Sequence, residues 1–171
     1  MSMQSLGPWF ASATVRKVSA PVTPVTICLF YQYARPSLKP TEVDALKSFI
    51  ESNTKTNSIG GRIRIAAEGL NCTISGSSTG VRDFTARLAA FKRDGEDATP
   101  FASTHFKFID ELGQDRAFKD LKVLPVKELV FYGDEEYDAT KTAASGSGGV
   151  HLQPKDFHEK LASKDAVVID V

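Results

Sequence analysis

"GRIRIAAEGLNCTISG", residues 61–76, decides the fold. Two β-rich runs flank an Ala-Ala-Glu-Gly centre, and each alternates apolar with polar residues. Alternation at period two marks strands with one buried face. With Glu68-Gly69 as a two-residue turn, Ala67 pairs with Leu70, Ile65 with Cys72 and Ile63 with Ile74. All the apolar side chains then share one side. The other side sets Ala66 against Asn71, Arg64 against Thr73 and Arg62 against Ser75. A slip of one residue would scramble both faces, so the pattern specifies the pairing. Gly69 supplies the positive φ such a turn needs.

Working outward, "VTICLFYQY" (25–33) is β-rich and follows Pro21 and Pro24, which predicts a first strand. "KPTEVDALKSFIES" (39–52) carries Val43, Leu46, Phe49 and Ile50 at helical spacing, with Pro40 suited to a first turn. A second amphipathic helix is predicted over 81–95, with Val81, Phe84, Leu88 and Phe91 on one stripe and Gly95 as its stop. "THFKFID" (104–110) reads as a strand, and "PVKELVFYG" (125–133) as an additional one. The order β-α-β-β-α-β is that of an α+β, ferredoxin-like domain: an antiparallel sheet with two helices on one face and the other face open.

The chain divides by composition. Residues 1–24 contain no acid, the first being Glu42, and read as an N-terminal extension or an organelle transit peptide. Residues 25–137 hold the domain, and 138–150, with "ASGSGG", read as a flexible linker. Residues 151–171 give a short helix starting at Pro154 and then "DAVVIDV", the beginning of a buried strand of another domain. Basic and acidic residues balance at 21 each, so no global field points to nucleic acid or membrane. No apolar run reaches the roughly 18 residues of a membrane span. A chain with two cysteines has no disulfide framework and suits a reducing compartment.

The open face follows from the alternation. If the helices cover the more apolar set of the first strand, the open face holds Phe30, Gln32, Arg62, Arg64, Asn71, Thr73, His105 and Lys107. Cations, hydrogen-bonding groups and an aromatic are what RNA-binding sheets of this topology present. An ordinary solvated face, or one covered by a further domain, has the same composition. Phe30, Arg62, Arg64, Asn71, His105 and Lys107 are the candidate binding residues.

Catalytic chemistry is harder to place. Cys28 and Cys72 sit within strands, predicted on opposite faces, where nothing would lower a thiol pKa. His105, His151 and His158 lack ligand spacing, so neither a metal nor a cofactor is expected. There is no P-loop, and "NCT" (71–73) lies in a strand of a chain with no secretory signal. "FKDLKV" (118–123) reads as a solvated basic loop. These residues fit a binding module better than a stand-alone enzyme.

Several segments resemble the rhodanese-domain proteins described as tRNA uridine hydroxylases. Their G-x-(hydrophobic)-x-(hydrophobic)-A-x-E-G-(Ile/Leu)-N core is matched by Gly61, Ile63, Ile65, Ala66, Glu68, Gly69, Leu70 and Asn71. "FYQY" (30–33), "FKDLKVLPVKELVFYG" (118–133) and "HLQPKDFHEKLASKDAVVIDV" (151–171) are similar to the family's opening strand, its L-K-V segment and its junction into the rhodanese domain. Glu68, Gly69 and Asn71 are the motif positions. The resemblance implies tRNA as partner and oxygen-dependent 5-hydroxylation of the wobble uridine. It also implies a catalytic cysteine beyond Val171 that neither Cys28 nor Cys72 matches, so this chain alone is expected to be inactive. The resemblance leaves open an accessory domain of a thiosulfate sulfurtransferase, whose sheet face packs on the catalytic domain. A stand-alone ferredoxin-like regulatory domain is a third reading. A cytoplasmic location is expected, or plastid or mitochondrion if residues 1–24 are a transit peptide.

Overall fold

A computed structural model describes residues 23–95, 97–130, 149–150, 152–163 and 166–169. The elements run β1 (Val25–Tyr33), α1 (Pro40–Thr56), β2 (Gly60–Ala66), β3 (Gly69–Gly76), α2 (Ser78–Ala89), β4 (Lys107–Leu112), a 3-10 turn (Gln114–Arg116), β5 (Leu121–Pro125) and α3 (Pro154–Ala162). The sheet order is β4-β1-β3-β2-β5, with β5 parallel to β2 and the other pairs antiparallel. This is the ferredoxin-like α+β architecture with one strand added at an edge.

Both helices lie over one face. Leu46 and Ile50 of α1 and Val81, Phe84 and Leu88 of α2 are fully buried against Cys28, Phe30, Ile63, Ile65, Leu70, Cys72 and Ile74. Local signals set the helix starts. The Glu42 carboxylate accepts the Lys39 amide at 2.7 Å beside Pro40, and the Ser77 hydroxyl accepts the Gly80 amide at 3.1 Å. Helix α2 ends at Ala89, before the expected Gly95, because the chain turns at Ala90 to carry Arg93 inward. The Arg93 guanidinium donates to the carbonyls of Pro36 and Ser37 and lies 3.4 Å from Glu42, which ties the β1–α1 loop to the end of α2.

The hairpin keeps its predicted faces but not its predicted pairing. Ala67 and Glu68 form the turn, and Ala66 pairs with Gly69, Ile65 with Leu70, Ile63 with Cys72 and Gly61 with Ile74. Moving the turn back one residue shifts each pairing by two positions, and a shift of two leaves every side chain on its own face. The added strand is Leu121–Pro125, which begins within the 118–123 segment expected to be a loop and ends at Pro125, where the expected strand was to start; Val126–Val130 is not strand. Parallel pairing to Gly61–Ile65 supplies its hydrogen bonds. Residues 131–133 of the expected strand, the expected extension over 1–22 and most of the expected linker lie outside the described residues. The helix at Pro154 forms as expected. Residues 166–169 form no strand, and Val167 and Ile169 are exposed.

Candidate functional site

The open face is read from β1 outward, and here the alternation goes against expectation. Phe30 and Cys28 point into the core at 1% and 0% exposed, while Leu29 and Tyr31 face solvent at 43% and 56%. The Phe30 ring meets Phe106 edge-on at 4.9 Å, filling the space under α2. The outward aromatic is therefore Tyr31, and the Phe30 ring lies in the core instead of on the open face. Gln32 shares the parity of Phe30, not of Tyr31, and is half-buried.

Register then assembles two rows across the sheet. One runs Lys107, Leu29, Thr73, Arg62, Lys122, and the next runs Tyr31, Asn71, Arg64, Leu124. His105 lies exposed just before β4, beside Lys107 and Tyr31 in one pocket. Arg62, Arg64, Asn71, His105 and Lys107 are thus brought together as expected. The rows hold four cations and no carboxylate, in a chain whose net charge is zero. The cations are not equivalent. Arg62 is bonded to Asp120 at 2.9 Å and lies over the Phe118 ring at 5.6 Å, so part of its role is to hold the loop before β5. Arg64 is exposed and forms no ion pair with any described residue.

Two adjoining pockets, each of about 470 Å³, flank Tyr31 at the β4 side of this face. The first is lined by Leu29, Phe30, Tyr31, Gln32, Ser103, His105, Lys107 and Gln153. The second is lined by Tyr31, Gln32, Tyr33, Arg35, Thr99, Pro100 and Ser103. The Tyr33 ring stands edge-on to Tyr31 at 6.5 Å and steadies it. Sequence reasoning missed Tyr31, Tyr33 and Arg35, although "YQYAR" (31–35) carries the signal once β1 is turned over.

The motif residues build a junction rather than a reaction centre. The carbonyls of Glu68 and Ala67 accept the amides of Ala34 and Leu38, and the Glu68 carboxylate accepts the Leu129 amide. The Ile65 carbonyl accepts the Val126 amide at 2.8 Å. Gly69 has φ +139°, and a Cβ there would stand 2.0 Å from the Gln32 carbonyl oxygen. Close packing of β1 therefore requires this glycine, not the turn it was assigned to. Asn71 alone of the three motif residues belongs to the open face.

Both cysteines are free, buried and on the same, helix-covered face, correcting the expectation of opposite faces. Burial pushes the Cys28 thiol up to about 12, against the smaller opposing effect of Arg82, and raises Cys72 as well. Neither offers a thiolate at neutral pH. At the sheet edge the Asp110 carboxyl is held down at about 2 by hydrogen bonds from Arg82 and Thr26. Among the described residues no group of three His, Cys, Asp or Glu comes together to hold a metal, and no helix is long and apolar enough to cross a membrane.

Taken together, fold and face define a ferredoxin-like domain of the acylphosphatase type, with a helix-covered side and a cationic open side. Residues 25–129 match the UPF0176 acylphosphatase-like domain, and the chain belongs to that family. It is similar to the tRNA uridine(34) hydroxylase of Rhodococcus erythropolis, 32% identical over 147 residues, covering 84% of this chain and 46% of that protein. The protein of the same description from Lactococcus lactis is 35% identical over 144 residues, covering 84% of this chain and 40% of the relative. A plant relative, the rhodanese-like domain-containing protein 6 of Arabidopsis thaliana, is 28% identical over 84% of this chain and 25% of its own length. The chain thus spans less than half the length of these relatives.

Proposed function

We propose that this chain is the RNA-holding module of a longer rhodanese-type protein that modifies tRNA, with the open sheet face as the RNA surface. One observation carries the reading: two adjacent rows of that face bring Arg62, Arg64, Lys107 and Lys122 together with Tyr31 and Asn71 and include no carboxylate. Phosphates meet the cations and unpaired bases meet the aromatic. The relatives' description as tRNA uridine(34) hydroxylases supports tRNA as the partner and hydroxylation of that uridine as the whole protein's reaction. The buried thiols support a reading in which the chemistry lies with residues outside this chain, and a tRNA partner goes with a cytoplasmic location. The exposed Leu29, Ile109 and Leu124 favour a second reading, in which this face packs on the catalytic domain of a sulfurtransferase.

The test is tRNA binding by the 171-residue chain at several salt concentrations. Replacing Arg64 and Lys107 by glutamate should weaken binding and flatten the salt dependence by about 1.4 logarithmic units, roughly 0.7 per lost single-strand phosphate contact. A folded double variant that binds tRNA as tightly as wild type would sink the RNA reading and leave the packing one.

A further inference from the structure

The pair of pockets around Tyr31 goes further than a generally cationic face. They share Tyr31, Gln32 and Ser103, so they adjoin as the two halves of one groove. Each half is lined by an exposed cation, Lys107 in one and Arg35 in the other. Each has about 470 Å³, within the roughly 300–1,000 Å³ of small-ligand sites. Tyr33 stands edge-on to Tyr31, which is 56% exposed and open to a stacking partner.

We infer that this groove binds a single-stranded RNA segment of at least two nucleotides, one base stacked on Tyr31, with Lys107 and Arg35 meeting the flanking phosphates. The inference rests on the reading of the open face as an RNA surface and adds that the bound RNA is unpaired there. Three features select this occupant. The exposed ring offers a stacking partner to any base, which a base inside a duplex cannot use. Each half is lined by a cation, matching a backbone that carries one charge per nucleotide. No carboxylate lines either half.

The 171-residue chain is titrated with a short single-stranded RNA carrying 2-aminopurine, and with the same sequence closed into a duplex. Binding of the single strand should quench the fluorophore as it stacks, and the duplex should bind more weakly. Tyr31→Phe keeps the ring and should leave affinity and quenching near wild type. Tyr31→Ala should weaken the single strand about 5- to 150-fold, the worth of one stacked base. Arg64→Glu, outside the groove, reports on the face as a whole. If Tyr31→Ala binds and quenches like wild type while Arg64→Glu binds poorly, the face holds RNA without the groove and only this inference falls. Equal affinity for duplex and single strand overturns it in the same way. If the wild-type chain binds neither RNA, the RNA reading of the face falls with it.

Discussion

On the helix-covered side of the sheet, Cys28, Phe30, Ile63, Ile65, Leu70, Cys72 and Ile74 are all at most 1% exposed. On the other side, Leu29, Tyr31, Ile109 and Leu124 stand at 42% to 58%. The same strands supply both sets, one residue apart. The difference teaches that apolar content does not decide which face is buried. The odd-numbered face of β1, with Val25, Ile27, Leu29, Tyr31 and Tyr33, is the more apolar of the two, yet much of it faces solvent. What decides is pairing: β1 sets Phe30 beside Cys72 and Cys28 beside Ile74, whose face is already committed by the hairpin. A strand that joins an existing sheet inherits its orientation.

The sharpest way to break the contrast is to make equivalent truncations on the two sides. Phe84→Ala, at a position with no exposure, should cost about 3–5 kcal/mol in chemical denaturation. Leu29→Ala should cost less than about 1 kcal/mol. Similar losses at both sites would mean that the open face is covered in solution. Gly69→Ala tests the seam between β1 and β3. The positive φ alone should cost about 1–3 kcal/mol, and the approach of Gln32 adds to it. A variant as stable as wild type would show that the two strands separate there at little cost.

The smallest effect belongs to the Arg82–Asp110–Thr26 contact at the edge, where charge rather than packing joins α2 to β4. The Asp110 pKa is lowered on folding, from 3.8 to about 2, so its contribution is complete above 3.8 and is lost as pH falls through 2. Thermal melts of wild type and Asp110→Asn should therefore differ by a steady margin near neutrality, and the margin should close across that window. A margin unchanged at pH 2 would mean that the carboxylate's charge is not what stabilises the edge.

Much of this was legible in the sequence, and the failures share a cause. The hairpin's period-two pattern, Pro40 and the Val81, Phe84, Leu88 stripe are local signals, and they gave the elements and the ferredoxin-like order. Moving the turn from Glu68-Gly69 to Ala67-Glu68 altered every partner in the hairpin and no face, because parity survives a shift of two. Strand β5 was hidden because Leu121–Pro125 is short, and its backbone is satisfied by β2, 60 residues earlier. The proposed binding surface was half visible for the same reason. Arg62, Arg64 and Asn71 were placed by the hairpin's own alternation, but Tyr31 needed the long-range pairing of β1.

The junction at Ala67-Glu68 also sets how the domain would carry tension. Strand β1 enters at the Gly76 end of the sheet, and the chain leaves after β5 at the turn end, where Glu68 grips Leu129. Entry and exit are thus separated by a nine-residue strand, on the order of 30 Å. A pull on the two ends runs along the strands in opposite directions, so it shears β1 against both of its neighbours instead of unzipping it from one. Many hydrogen bonds must then yield together, with Glu68 as the clamp that keeps the load off the short strand at the sheet's edge. The domain is built to resist being pulled apart between whatever is attached on either side of it.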